Sequence, residues 1–429
     1  MEQVETVIVG GGQAGLATSY CLTQQGREHV VLEQAAQAAN VWRNERWDSF
    51  TLVTPNWSVM MPGAEYDGAD RDGFMPRDEV VVYFERYVDR FQLPVQYDTR
   101  VLAVEPMDGK GYRVTAPERT FAAKNVVMAT GFEQQPNIPS FAAGISPGIT
   151  QIHSGAYRNP ESLPAGAVLV VGSAQSGAQI AEELYQRGRQ VFLCVGSAGR
   201  APRRYRGKDV VEWLYQIGFF DITPDKLPVP KENFAPPHVS GADGGHTLNL
   251  HQFSRDGVTL LGHLRGASGD TISLAPDLHE TLARVDQFER EVQKMIDGYV
   301  QANGLDAPEE ELPQLRDGYE QPIVAELDLK AAGINTVIWA TGYTYDFGLV
   351  KMPVLERDGF PIQTRGVTSH TGLYFVGMPW MPSLKTGILA GVGEFAEHIA
   401  FNIAQADTHR RRNAVTSATG KPAISASAV

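Results

Sequence analysis

Apolar residues along the chain gather in short β-branched runs, separated by glycine-rich turns and by stretches with helical spacing. That alternation predicts a largely parallel α/β protein. Val4 to Val9 reads as a strand, Gly10-Gly11-Gly12-Gln13-Ala14-Gly15 as a turn opening a helix, and Val30-Val31-Leu32-Glu33 as a second strand. The order returns later: Val168 to Val171, Gly172-Ser173-Ala174-Gln175-Ser176-Gly177, a helical run to Arg187, and a strand from Val191 to Val195. Val126-Val127-Met128 leads into Ala129-Thr130-Gly131-Phe132, and Val337-Ile338-Trp339 into Ala340-Thr341-Gly342-Tyr343, so a second motif also occurs twice.

The remaining elements are less regular. A helix is expected after Arg77-Asp78, with Val80, Phe84, Tyr87 and Phe91 on one face. Short β-runs follow at 95–97, 101–105 and 112–115, then a Pro- and Gly-rich passage over 132–166. Residues 210–320 form an insert, with a hairpin predicted over 258–274 and an amphipathic helix carrying Leu278, Leu282, Val285, Val292, Ile296 and Tyr299. A buried strand at 372–377 leads to a last helix over 387–406. From about Asp407 the composition predicts a mobile tail.

The glycine turns carry chemistry. Gly10 permits a tight turn, Gly12 lets a pyrophosphate approach the backbone, and Gly15 lets the helix pack closely on the sheet. The N–H groups that open the helix, at Gln13 and Ala14, would then face the phosphate. Glu33 is placed to accept hydrogen bonds from a ribose hydroxyl and would repel a 2′-phosphate, which points to FAD or NAD. In the second copy Ala174 replaces the middle glycine and no acid ends the strand. Ser197, Arg200, Arg203 and Arg204 follow instead, the complement of a 2′-phosphate, so this copy is expected to take NADPH.

Net charge of −13 argues against a general affinity for nucleic acid or an anionic membrane. The two cysteines, Cys21 and Cys194, are read as reduced core thiols of a cytoplasmic protein, and no secretory leader precedes the first strand. The last helix is too polar to span a bilayer. The histidines at 246, 251, 263 and 279 lack compact metal-ligand spacing and are read as structural.

Two nucleotide turns, each followed by Ala-Thr-Gly-aromatic, resemble the two-dinucleotide-binding-domain flavoproteins. Within them the chain resembles the class B flavin monooxygenases, including flavin-containing and plant indole-3-pyruvate monooxygenases. Their fingerprint, Phe-x-Gly-x-x-x-His-x-x-x-(Phe/Tyr), survives here only in its second half, His153 to Tyr157. Pro147 stands at the Phe position and Ile149 at the Gly position, with Gly148 one residue early.

The resemblance implies two Rossmann-like three-layer domains: a discontinuous FAD domain over 1–160 and 325–406, and an NADPH domain over 161–324. It implies that Trp42 lies against FAD, that Asn56, in an Asn-x-x-x-x-Met context with Met61, is the active-site amide, and that Thr386-Gly387 and Lys385 approach the flavin ring. Arg43, Arg77, Val101, Ala129, Thr130, Gly131 and Gly377 complete the flavin set, and Thr341 with Gly342 joins the NADPH set. The implied activity is NADPH- and O2-dependent oxygenation of a small molecule, at N or S or by Baeyer-Villiger chemistry, through a flavin C4a-hydroperoxide. The expected partners are that substrate and O2, with no nucleic acid or membrane; a homodimer is the assembly considered. Two alternatives stand beside it: an NADPH-dependent flavin reductase serving a partner, and a non-catalytic NADP(H)-binding flavoprotein sensor.

Overall fold

The computed structural model describes residues 1–108, 111–227, 230, 231, 234 and 236–419, with side chains as far as 408. Two mainly parallel sheets dominate it. In the first, the strand Glu2–Val9 lies between His29–Leu32 and Thr120–Met128. Val7 is opposite Val30 on one side and Val126 on the other. The apolar run at 7–9 is buried, as a central parallel strand flanked by neighbours on both sides requires.

Thr120–Met128 is longer than its neighbours, and its outer edge is shared by two partners. Tyr112–Thr115 runs antiparallel against its first half, with Tyr112 opposite Ala123. Leu373–Phe375 runs parallel against its second half, with Leu373 opposite Val126. The sharing sets Ala129-Thr130-Gly131 and Gly377 side by side, just past the carboxyl ends of Glu2–Val9 and its neighbours. The helix Gln13–Gln24 covers one face of this sheet, and the helix Arg77–Phe91 contributes buried Val80, Phe84 and Tyr87 to the same core.

The second sheet is wholly parallel, in the order Thr150–His153, Ile334–Trp339, Ala167–Val171, Val191–Cys194, Thr259–Leu261. Trp339 is opposite both His153 and Val171. Two strands that the sequence-based partition gives to the first domain, 150–153 and 334–339, therefore belong to the second sheet. The reason is the pairing itself: Ile334–Trp339 is the strand that separates Thr150–His153 from the second nucleotide strand.

The expected hairpin over 258–274 is divided. Thr259–Leu261 forms the edge of the second sheet, while Leu264–Ser268 turns at Gly269 and pairs with Thr271–Leu274, which also binds Glu326–Asp328. The long helix of the insert spans Leu278–Asn303 and buries Leu278, Leu282, Val285, Val292, Ile296 and Val300. The last helix runs Val392–Thr419, past the Asp407 at which a mobile tail is expected; residues 420–429 lie outside the described residues.

Candidate dinucleotide sites

Each nucleotide turn is built on the Ala-Thr-Gly segment of its own sheet. Gly10 has φ +107°, and a Cβ there would stand 2.6 Å from the Ala129 carbonyl oxygen; Gly172 has φ +103°, with the Ala340 oxygen at 2.5 Å. Neither position admits a side chain without moving backbone. A Cβ on Gly15 or Gly177 would collide with the carbonyl of Gly10 or Gly172 respectively. The two motifs are therefore one packing unit used twice: the glycine turn sits on the alanine carbonyl at the end of a neighbouring strand.

Both helices that follow, Gln13–Gln24 and Gln175–Gln186, begin without a side-chain cap, at Gly12 and Ala174. Their first N–H groups and the positive ends of their dipoles remain available to an anion. Open space faces Gly12, since a Cβ there would meet nothing within 4 Å.

The first turn opens on a cavity of about 700 Å³, within the range of cofactor sites. Of the residues expected around FAD, Gly10, Gly12, Gln13, Ala14, Glu33, Trp42, Val101, Ala129, Thr130, Gly131, Gly377 and Gly387 line it. Glu33 accepts the Gly11 N–H on Oε2 at 2.6 Å and the Ala35 N–H on Oε1 at 2.8 Å, which fixes its carboxylate at the strand end. Gln13 donates to the Gly387 carbonyl at 2.9 Å, joining the first helix to the last segment of the chain. A Cβ on Gly377 would overlap the Ala14 methyl, so this loop must be glycine to reach the helix start.

Several expected residues lie elsewhere. Arg43 pairs with Glu85 at 2.6 Å, and Arg77 with Asp48 at 2.7 Å and Asp78 at 2.9 Å, so neither faces the cavity. Lys385 is held between Asp221 at 2.6 Å and Glu394 at 2.8 Å. The Thr386 hydroxyl is turned inward, donating to the Ser383 carbonyl. Gly15 packs behind the turn. Asn56 is buried but does not line the cavity; its Nδ2 donates to the Asp70 carbonyl at 2.9 Å, and among the described residues its Oδ1 has no partner.

Arg46 is a cavity residue that the sequence reading passed over. It donates to Glu133 at 2.6 Å and lies 5.5 Å from the Trp42 ring centre. Arg46 lies in a bend two residues past the short helix Asn40–Asn44, so no helical spacing from Trp42 marks it in the sequence. Gln134, also on the lining, donates to the Thr130 hydroxyl and the Gly131 carbonyl, both at 2.9 Å, and braces the turn.

Around the second turn, the surviving half of the fingerprint has a structural role. His153 Nε2–H donates to the Gly342 carbonyl at 2.9 Å, and its Nδ1 accepts the Gly155 N–H at 3.2 Å. One neutral tautomer satisfies both bonds, and burial holds the ring below the ordinary histidine range. The Tyr157 hydroxyl donates to Glu183 of the second nucleotide helix at 2.6 Å. His153 and Tyr157 thus fasten the Thr341-Gly342 turn and the helix to the short segment 153–157. The Ser173 hydroxyl accepts the Gly196 N–H at 2.9 Å, tying the glycine turn to the strand end just before Ser197.

The expected basic cluster is corrected by the structure. Arg200 is 4% exposed and donates to Asp286 and Glu289, each at 2.7 Å. Arg203 is 2% exposed and held by Asp209 at 2.6 Å. Both charges are neutralised inside the protein by carboxylates supplied by the insert and by Asp209. Arg204 and Ser197 are exposed, and Arg204 donates only to the carbonyls of Gly244 and Gly245, at 3.1 Å each, among the described residues. Ser176, in the first turn of the helix, is half-buried.

Cys21 and Cys194 are buried and free, and burial pushes each thiol up to about 12. Among the described residues no group of His, Cys, Asp or Glu could hold a metal ion, and no helix is long and apolar enough to cross a membrane.

Comparison with known proteins agrees with this architecture. Residues 7–216 match the pyridine nucleotide-disulphide oxidoreductase family model. The chain is 32% identical, over 93% of its length and 98% of the relative's, to an uncharacterized CzcO-like oxidoreductase of Geobacillus kaustophilus. Among solved structures it is similar to a flavin-containing monooxygenase from Stenotrophomonas maltophilia, with TM-score 0.64, 19% identity, and coverage of 94% of this chain and 99% of that one. It is also similar to the bacillithiol disulfide reductase of Bacillus cereus, with TM-score 0.59, 17% identity, and coverage of 94% and 99%.

Proposed function

We propose a function from one premise: the chain belongs to the family of CzcO-like oxidoreductases and has the fold of the two-dinucleotide-binding-domain flavin monooxygenases. It is an FAD-dependent monooxygenase that draws electrons from NADPH and uses O2 to oxygenate a small organic molecule at N, at S or at a carbonyl. The observation that carries this reading is the doubled turn: two uncapped helix starts, each on an alanine carbonyl, with Glu33 ending one following strand and Ser197 and Arg204 following the other.

When bound, FAD supplies two-electron acceptance from a nicotinamide and the reaction with O2. The chain's own residues do the rest. The N–H groups at the start of Gln13–Gln24 meet the pyrophosphate, Glu33 accepts a ribose hydroxyl, and Trp42, Phe50 and Leu52 form an apolar wall that keeps water out. The buried Asn56 Oδ1, without a partner among the described residues, supports a polar role for that amide. At the second turn, Arg204 and Ser197 are the groups free to meet the 2′-phosphate of NADPH.

A reductase is the second reading, favoured by the likeness to bacillithiol disulfide reductase. With both cysteines buried and their thiols pushed up to about 12, such a reductase would act without a protein thiol.

The test is to supply FAD-loaded protein with NADPH, isotopically labelled O2 and a panel of sulfides, tertiary amines and ketones. One labelled oxygen atom in a product, with peroxide release falling as product forms, is the expected result. Peroxide stoichiometric with NADPH across the panel, together with fast reduction of an added electron acceptor, would favour the reductase and sink the monooxygenase.

A further inference from the structure

Arg203 is among the largest fully buried side chains of the protein, and the Asp209 carboxylate uses only part of its donor set. Its Nη1 donates to the Val53 carbonyl at 2.7 Å and reaches the Ser240 carbonyl at 3.5 Å. Its guanidinium lies 4.3 Å from the centre of the Phe74 ring. Val53 lines the first cavity, and Phe74 stands on the segment that pairs with it, where Leu52 N–H donates to the Met75 carbonyl at 2.8 Å and Asn56 N–H to Gly73 at 2.9 Å.

On the other side, Ser240 follows Val239, whose backbone is held by the side chain of Gln175. Gln175 Nε2 donates to the Val239 carbonyl at 2.8 Å, and Val239 N–H donates to Gln175 Oε1 at 3.3 Å. Gln175 is the first residue of the second nucleotide helix. Gly241 comes next, so close to the Leu52 carbonyl that a side chain there has no room. The insert segment 238–241 is thus pinned to the second turn at one end and pressed on the wall of the first cavity at the other.

We propose that Arg203 is a positioning residue that joins these two contacts, so that filling the second nucleotide site steadies the Leu52–Thr54 wall of the first. The inference rests on the assignment of FAD and NADPH to the two turns. It explains why an arginine is buried between the domains, where a guanidinium can hold two carbonyls and a carboxylate in fixed directions that a lysine ammonium cannot. The Arg203 charge does not reach the 2′-phosphate; it organises the surface between the two sites.

The test uses the full-length, flavin-loaded protein and hydrogen exchange of the amides at 51–57, with and without NADP+. In the native protein NADP+ should slow exchange there by about fivefold or more, the low end of ordinary coupling between sites. Arg203→Lys keeps the charge and loses the fork. It should bind NADP+ as tightly as the native protein and show no slowing at 51–57. Gly241→Ala, which leaves Arg203 intact and pushes the segments apart, should lose the same response and serves if the first variant does not fold. Native-like slowing in a folded variant would overturn the role of Arg203, as would a native protein that binds both dinucleotides with no response at 51–57. Failure of the native protein to bind FAD or NADP+ would instead overturn the functional reading, and this inference with it.

Discussion

Substituting alanine for the first glycine of each nucleotide turn should separate the two sites. At Gly10 the new Cβ would stand 2.6 Å from the Ala129 oxygen, against about 3.4 Å for ordinary contact, so the turn and strand end must part by several tenths of an ångström. The obstacle is backbone on both sides, so no rotamer change relieves it. A φ of +107° adds strain for any residue with a side chain. Together the strain, of order 1 to 3 kcal/mol, and the overpacking, similar in size, amount to roughly 2 to 4 kcal/mol after partial relief. Where that distortion falls on the pyrophosphate cradle, affinity drops roughly 30- to 700-fold at about 1.4 kcal/mol per tenfold. Gly172→Ala should do the same at the second turn, against the Ala340 oxygen at 2.5 Å. The assay is flavin content of the purified variants together with calorimetric titration of NADP+. Gly10→Ala should lose flavin and still bind NADP+; Gly172→Ala should keep flavin and bind NADP+ weakly. The opposite pairing would reverse the assignment, and unchanged affinities in both would refute the packing argument.

Two further outcomes are expected. Arg204→Ala should raise KM for NADPH by roughly 10-fold or more, as expected for the loss of a charged hydrogen bond, and hardly change KM for NADH; equal effects on both would remove Arg204 from phosphate binding. Asp286→Asn should destabilise the protein by about 3 kcal/mol or more, measured by denaturant titration, because it leaves buried Arg200 with one carboxylate, Glu289, in place of two. Burial acts to raise the Asp286 pKa, but hydrogen bonds from His251 and Tyr319 and the Arg200 charge outweigh it and hold the carboxyl below its ordinary range. A depressed carboxyl contributes stability above its unfolded pKa and loses it as pH falls through the folded one. The native protein should therefore weaken in that acid window more steeply than the variant; identical acid profiles would count against the network.

The glycine turns were legible because strand, glycine turn and helix are consecutive in the sequence, although the carbonyls that exclude a side chain at Gly10 and Gly172 come from Ala129 and Ala340, far along the chain. Gly10, Gly15, Gly172 and Gly177 could be read from their spacing together with the β-run before each turn and, in the first copy, the acid that ends the next strand. The domain partition was less legible because parallel pairing is non-local, and nothing in Ile334–Trp339 records that it will lie between Thr150–His153 and Ala167–Val171. The arginines misled for the same reason. Arg200 stands in a basic run, yet its partners Asp286 and Glu289 are 86 and 89 residues away on the insert helix. Arg46 was missed although its distance from Trp42 is local, since the loop around it offers no periodicity to place it on a helix face.

The shared edge of Thr120–Met128 also bears on how the protein is made. The second half of that strand is closed by Leu373–Phe375, and Gln13 is tied to Gly387, so the first cavity takes its last walls from the end of the chain. At ribosomal rates of about 5 to 20 residues per second, the first nucleotide turn waits on the order of tens of seconds for them. During that time the outer half of the strand is an open edge, able to pair with another nascent chain. Flavin should therefore enter only after residues 373–388 have folded against the first sheet, and a chain cut short before Leu373 should aggregate.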